Sequence, residues 1–184
     1  MIGRKAVLWI YLTSVILSAP PATAGDDPLT DGEKKAVVYD MYQSYKNKDF
    51  PEVSDISAEE LMSLASLGDV IVVDTREAGE MEVSMLPGAI TRQDFLENLN
   101  RYREKTIVAY CTISYRSGKF AKEMKTRGVT VLNLRGGILA WALEGGRVYD
   151  EEGKTRRIHV YGDEWNYVPA GYEAITFSLL ERLF

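Results

Sequence analysis

The chain carries a single cysteine, Cys111, and a single histidine, His159, so any chemistry that needs a thiol has one place to happen. Cys111 ends the apolar run Ile107, Val108, Ala109 and Tyr110, and Arg116 follows it through a short polar loop. A run of that length closed by polar residues reads as a buried parallel strand. Beyond Arg116, residues 117–127 place Phe120, Ala121 and Met124 at helical spacing, with basic residues in the last turn and Gly128 just past the end. The order is strand, thiol-bearing loop, helix. In open α/β sheets ligands sit outside the carboxyl ends of the strands, where a helix amino terminus offers unpaired N–H groups and partial positive charge to an anion. There a cysteine has its thiolate favoured over its thiol and becomes a nucleophile. Arg116 adds a fixed charge.

Two further groups are placed by the same pattern. The β-branched run Val70, Ile71, Val72 and Val73 implies burial on both faces, hence a central parallel strand, and it ends at Asp74, Thr75 and Arg76. Asp74 and Arg76 are expected at the same sheet edge as Cys111, as an ion pair that braces the loop. His159, flanked by Val160 and Tyr161, reads as a structural histidine. One histidine and one cysteine are too few ligands for zinc unless carboxylates complete the set, and chemistry carried by Cys111 and Arg116 calls for no metal or organic cofactor.

The elements that must hold these residues follow from the rest of the chain. With 184 residues, 46% apolar and 27% charged, it has room for one globular domain plus additions. Residues 1–24 read as a secretory signal peptide: Arg4 and Lys5, an apolar run from position 6 to 17, then Pro20, Pro21 and the small-residue pattern Ala22-Thr23-Ala24. The run is shorter than the roughly 20 residues of a spanning helix. It is not followed by a cysteine, which excludes a bacterial lipoprotein. The expected location is therefore periplasmic or secreted, after cleavage. Taking Arg4 and Lys5 from the 22 basic residues leaves 20 against 27 acidic ones, about −7, which argues against nucleic-acid or anionic-membrane binding. An odd thiol in an oxidising compartment is an intermolecular bridge, an inert buried hydrophobe or a reactive group. The position of Cys111 favours the last.

Thr30 with Glu33 is a capping box opening a helix over Val38, Met41, Tyr42 and Tyr45 that ends near Phe50-Pro51; Tyr39, Tyr42 and Tyr45 are read as packing surface. Residues 53–56 form a short strand candidate, and Ser57 with Glu60 caps a second helix. The acidic residues 77–82 are helix or loop. Leu86-Pro87-Gly88-Ala89-Ile90 is a turn feeding a strand, and Thr91 with Asp94 starts another helix. Residues 131–134 make a strand broken by Arg135-Gly136-Gly137 before a short helix with a buried Trp141. Strands alternating with helices give an α/β fold with a central parallel sheet. In the tail, Asp150-Glu151-Glu152-Gly153 marks a hairpin with Lys154, Arg156 and Arg157 on its return. From Pro169 the stripe Tyr172, Ile175, Leu179 and Leu183, with Phe177, Leu180 and Phe184 beside it, predicts a terminal helix docked on the domain, a partner or a membrane.

Four motifs in order resemble the rhodanese-like family: Val72-Val73-Asp74-Thr75-Arg76-Glu77, Leu86-Pro87-Gly88-Ala89-Ile90, Tyr110-Cys111 with Arg116-Ser117-Gly118, and Leu134-Arg135-Gly136-Gly137-Ile138 with Ala140-Trp141. The resemblance covers about residues 53–148, between an amino-terminal helical extension at 25–52 and a carboxyl-terminal extension at 149–184. It implies the rhodanese-like α/β fold and sulfur transfer through a cysteine persulfide. Cys111 would accept the sulfur. The loop residues Thr112, Ile113, Ser114, Tyr115 and Arg116, with Ser117, would surround it with backbone amides, and Arg116 would hold the anionic part of donor or leaving group. The implied partners are a small sulfur-containing anion or persulfide donor and a thiol, cyanide or protein acceptor. Membrane contact would come only through an uncleaved amino terminus or the terminal helix. Phosphatases of this fold have a loop one residue longer, and usually a histidine where Tyr110 stands, so sulfur chemistry fits better. A noncatalytic binding or sensor module is the alternative. Ser114 stands where many relatives have glycine, which predicts either backbone strain there or a loop of different shape. Thr112 replaces a basic residue common in members that use thiosulfate, and Met85 replaces a histidine before the Pro-Gly turn.

Overall fold

The computed structural model describes residues 29–177 apart from position 67. The expected signal peptide at 1–24 and the apolar positions Leu179, Leu180, Leu183 and Phe184 lie outside the described residues.

Local chemistry sets most helix starts. Helix α1 (Asp31–Asp49) and helix α2 (Ala58–Ala65) both open with reciprocal capping boxes, Thr30 with Glu33 and Ser57 with Glu60. Between them lies strand β1 (Asp55–Ile56), shorter than the run 53–56 suggests. Strand β2 (Val70–Asp74) leads to helix α3 (Ala78–Val83), which settles the acidic stretch as helical. Strand β3 (Ile90–Thr91) follows the Pro-Gly turn, and Thr91 caps helix α4 (Arg92–Glu97), with α5 (Leu99–Tyr102) after it. Then come strand β4 (Thr106–Tyr110), helix α6 (Tyr115–Thr126), strand β5 (Leu132–Leu134) and helix α7 (Gly137–Leu143).

The five strands form one parallel sheet in the order β1-β5-β4-β2-β3, with β4 in the middle. Val72 faces Val108, Val73 faces Ala109 and Asp74 faces Tyr110, so β2 and β4 end at the same edge. That register sets the turn after β2 beside the loop after β4. The Thr75 amide and hydroxyl both donate to the Tyr110 carbonyl, each at 3.0 Å.

One face of the sheet packs on Ile56, Leu61, Leu134, Ile138 and Leu139, the other on Phe95, Phe120 and Met124. Helix α1 reaches both, Val38 joining the first layer and Tyr42 the second, with Phe50 after it. Those three side chains are fully buried or nearly so. Each burial stabilises by about 1.5–3 kcal/mol, so this helix is fastened to the domain. Gly118 exists for the same contact: a Cβ there would lie 2.5 Å from the Phe50 ring.

The tail departs from expectation. Strands β6 (Val148–Asp150) and β7 (Gly153–Thr155) form an antiparallel hairpin whose return holds Lys154 but ends before Arg156 and Arg157, and Met85 bridges to Tyr149, its amide donating to the Tyr149 carbonyl at 2.7 Å. Strand β8 (Arg157–His159) then pairs in parallel with strand β9 (Glu173–Ile175). Tyr172 and Ile175 therefore belong to no helix. The Tyr172 amide donates to the Pro169 carbonyl in a turn, Gly171 takes a left-handed φ of 78°, and Val160 donates to the Ile175 carbonyl, committing this backbone to a strand ladder. Among the described residues no helix is long and apolar enough to cross a membrane.

Candidate active site

Cys111 is the first residue after β4, at the junction of sheet and helix. Helix α6 begins at Tyr115, two residues earlier than the spacing suggested, which puts Arg116 in its first turn. The loop is pinned from behind by α7. The amides of Ile138 and Leu139 donate to the carbonyls of Cys111 and Thr112 at 2.9 and 3.3 Å. Only glycine fits at position 137, with φ 59° and a would-be Cβ 2.3 Å from the Cys111 carbonyl oxygen. The carbonyls are thereby turned onto α7. Among the described residues, the amides of positions 112–117 meet no acceptor: 112 and 113 lie in the loop, and 114–117 open helix α6.

Ser114 carries the strain its residue type predicts. It is the one non-glycine residue with positive φ, 71°, among those described. Its hydroxyl donates to the Leu134 carbonyl and its carbonyl accepts from Asn133 Nδ2 at 3.1 Å, so neighbouring β5 holds the left-handed turn in place. Ser114 thus faces the sheet, and Ser117 is likewise fully buried with no partner for its hydroxyl among the described residues. Neither lines the cavity described below.

Asp74 and Arg76 form a wholly buried pair. Arg76 Nη2 lies 2.6 Å from Asp74 Oδ2 and 2.5 Å from the Ser84 carbonyl, its Nε 3.0 Å from Asp74 Oδ1, and its guanidinium rests over the Tyr110 ring. Burial acts to lower the Arg76 pKa, but the electrostatic attraction of Tyr110 and Asp74 and the hydrogen bond to Asp74 outweigh it and the net shift is upward. The pair braces the turn beside the cysteine loop; it does not reach the cavity.

The residue that organises the site is Glu80, on α3. Its carboxylate is almost fully buried and accepts Arg116 Nη1 at 2.6 Å and Nη2 at 2.8 Å in a two-pronged ion pair. It also meets the Tyr161 hydroxyl at 3.3 Å, His159 Nδ1 at 3.2 Å, the Thr112 hydroxyl at 3.4 Å and the Glu77 amide at 3.0 Å. Burial alone would raise the Glu80 pKa; the hydrogen bonds from Arg116 and His159 hold it well below the usual carboxylate range. Arg116 shifts upward: burial opposes this, while the hydrogen bond to Glu80 and the proximity of Cys111 outweigh it. Arg116 is thus no free cation. Its charge is already paired with Glu80, so an anion in the cavity would meet a compensated guanidinium. Nor is His159 simply a satisfied core residue. Its ring stacks on Phe177 at 4.2 Å between centroids, and its buried Nε2 has no partner among the described residues.

A cavity of about 360 Å³ opens onto Cys111. Thr112, Ile113, Tyr115 and Arg116 come to it from the loop and helix, while Tyr45 from α1 and Tyr161 and Trp165 from the tail close its sides. Tyr45 was read as packing surface, and it is also wall. Cys111 itself is 2% exposed and is one of the residues lining this space. Among the described residues no cluster of His, Cys, Asp and Glu could hold a metal ion.

Comparison with known proteins agrees with this architecture. The profile of the Rhodanese-like domain matches residues 57–144. A sulfurtransferase of Allochromatium vinosum is 34% identical over 106 residues, spanning 55% of this chain and 99% of that protein. The chain belongs to the rhodanese-like family. Within it, a tRNA sulfurtransferase of Desulfurococcus amylolyticus is 33% identical over 101 residues, 55% of this chain but only 20% of the relative. A solved thiosulfate sulfurtransferase of Pseudomonas aeruginosa shares the fold, with a TM-score of 0.51 at 19% identity over 74% of this chain and 26% of that one. The rhodanese-like match stops short of Tyr45, His159, Tyr161 and Trp165, so the cavity's sides and two of the five Glu80 partners come from the extensions.

Sequence reasoning passed over Glu80, Tyr161 and Trp165. Glu80 carried one local signal, Glu77 three residues before it in a capping box; the aromatic residues carried none.

Proposed function

We propose that this chain is an exported sulfurtransferase or persulfide carrier working through Cys111. The observation that carries the reading is the placement of the lone thiol at the strand-to-helix junction, where unpaired amides and an open cavity meet it. The match of 55% of this chain to nearly all of a 34% identical sulfurtransferase supports it. The Cys111 thiolate attacks the outer sulfur of a sulfane donor, forming an S–S bond while the bond to the donor's inner atom breaks and its electron pair leaves on the departing anion. With thiosulfate the products are the cysteine persulfide anion and sulfite. The N–H groups at the start of α6 stabilise the persulfide charge. A second nucleophile, a thiol, cyanide or a protein cysteine, then takes the outer sulfur and returns the thiolate.

Transfer is measured by supplying a sulfane donor and cyanide and following thiocyanate. Turnover is expected from the full chain and not from Cys111→Ser; equal turnover from both sinks the proposal. A noncatalytic recognition module is the second reading, favoured by the 2% exposure of Cys111 and the pairing of Arg116 with Glu80. It requires that no donor loads sulfur onto Cys111. Export rests on the pattern of residues 1–24, and cleavage after Ala24 in the mature protein's mass is its test.

A further inference from the structure

The sides of the cavity over Cys111 are built as one aromatic wall from three separate segments. Tyr45 on α1 meets Tyr115 of α6 edge to face at 5.2 Å, and Tyr161 meets Trp165 the same way at 6.0 Å. The Trp165 indole N–H donates to the Tyr45 hydroxyl at 3.4 Å, joining the two pairs. Arg116 is the one charged residue among the described lining, and Glu80 holds both its terminal nitrogens. The volume, about 360 Å³, is that of a site for an organic molecule, commonly ~300–1,000 Å³, against ~30 Å³ for a water. A small inorganic oxyanion would leave most of it unfilled.

We propose that this cavity selects sulfane-sulfur donors whose leaving group carries an aromatic or similar apolar body, and disfavours thiosulfate. The inference rests on the sulfur-transfer reading above. A doubly charged donor must exchange its hydration for aromatic walls and a guanidinium whose charge is already compensated. An aryl group instead leaves water and packs on ring edges and faces. With an aryl thiosulfonate, the Cys111 thiolate attacks the outer sulfur and the bond to the sulfonyl sulfur breaks. Its electron pair leaves on the aryl sulfinate. Charge and atoms balance without an outside oxidant, reductant or proton.

The test compares thiosulfate, methanethiosulfonate and benzenethiosulfonate, which differ only in the group on the sulfonyl sulfur. With the full chain, kcat/KM is expected to rise in that order, benzenethiosulfonate exceeding methanethiosulfonate by about 10-fold or more, as burial of a ring implies. Trp165→Ala should carry that ratio toward one and Trp165→Phe should restore most of it. Equal values for the three donors, a preference for thiosulfate, or a ratio indifferent to Trp165→Ala overturns the proposal. Calorimetry of sulfite, methanesulfinate and benzenesulfinate on Cys111→Ser reads the same selectivity without any transfer. Tight benzenesulfinate binding with no persulfide from any donor removes sulfur transfer and keeps the cavity's selectivity. Transfer from all donors without preference removes the selectivity alone.

Discussion

Replacing Glu80 with glutamine keeps the shape of α3 at the site and removes the charge that pairs Arg116. The Glu80 side chain is 3% exposed and that of Arg116 25% exposed, so the pair is buried on one side and reaches water on the other. Breaking a buried pair by removing one partner costs about 3–5 kcal/mol, and a guanidinium able to turn to solvent puts the expected loss near the lower end, ~3 kcal/mol. At a urea slope of ~2 kcal/mol/M this moves the unfolding midpoint down by about 1.5 M at neutral pH. The pH dependence has a fixed sign. The folded carboxyl sits below its ordinary value, so its stabilisation is fully present above about pH 4.3 and fades as pH falls toward the folded pKa. Urea titrations of Glu80→Gln and the parent chain at steps below pH 5 should therefore show the gap closing. The same change leaves the Arg116 charge uncompensated, so the KM for thiosulfate should fall relative to that for methanethiosulfonate. A gap under about 0.5 kcal/mol that does not vary with pH, as for an exposed ion pair, would refute the placement of Glu80 at the centre of the site.

Asp74→Ala strands the buried Arg76 charge and should lower the melting temperature by about 10 °C, read by calorimetry. Gly137→Ala forces a Cβ to 2.3 Å from the Cys111 carbonyl, so persulfide loading should drop sharply even where circular dichroism reports a folded chain. Tyr39 and Tyr161 are both pushed up to about 12, chiefly by burial, so their contribution is whole below about pH 10 and lost as pH rises through 12. Tyr161→Phe should shallow that alkaline fall in a urea titration.

What the sequence disclosed tracks the range over which each signal acts. The capping boxes at Thr30 and Ser57 and the β-branched run ending at Asp74 involve neighbours a few residues apart, and each marks its element where the fold has it. The cysteine loop was legible because its strand, its thiol and its helix are contiguous. Glu80 was hidden because its partners Arg116, His159 and Tyr161 lie 36, 79 and 81 residues away, and a carboxylate in an acidic stretch looks solvated until they arrive. That distance also concealed that the charge of Arg116 is paired. The segment around Tyr172 and Ile175 misled because two apolar residues three apart fit a helix, whereas the β8 edge decided for a strand. Trp165 and Tyr45 meet only through the tertiary fold, and nothing local announces that they share a cavity.

Sulfur on one named atom is the core of the account. Intact-mass and peptide mass spectrometry of the full chain after a sulfane donor should show one added sulfur atom, located on Cys111, removed by excess thiol and missing from Cys111→Ser. A chain that stays unmodified with thiosulfate, polysulfide and benzenethiosulfonate alike, or that gains sulfur equally in Cys111→Ser, contradicts it.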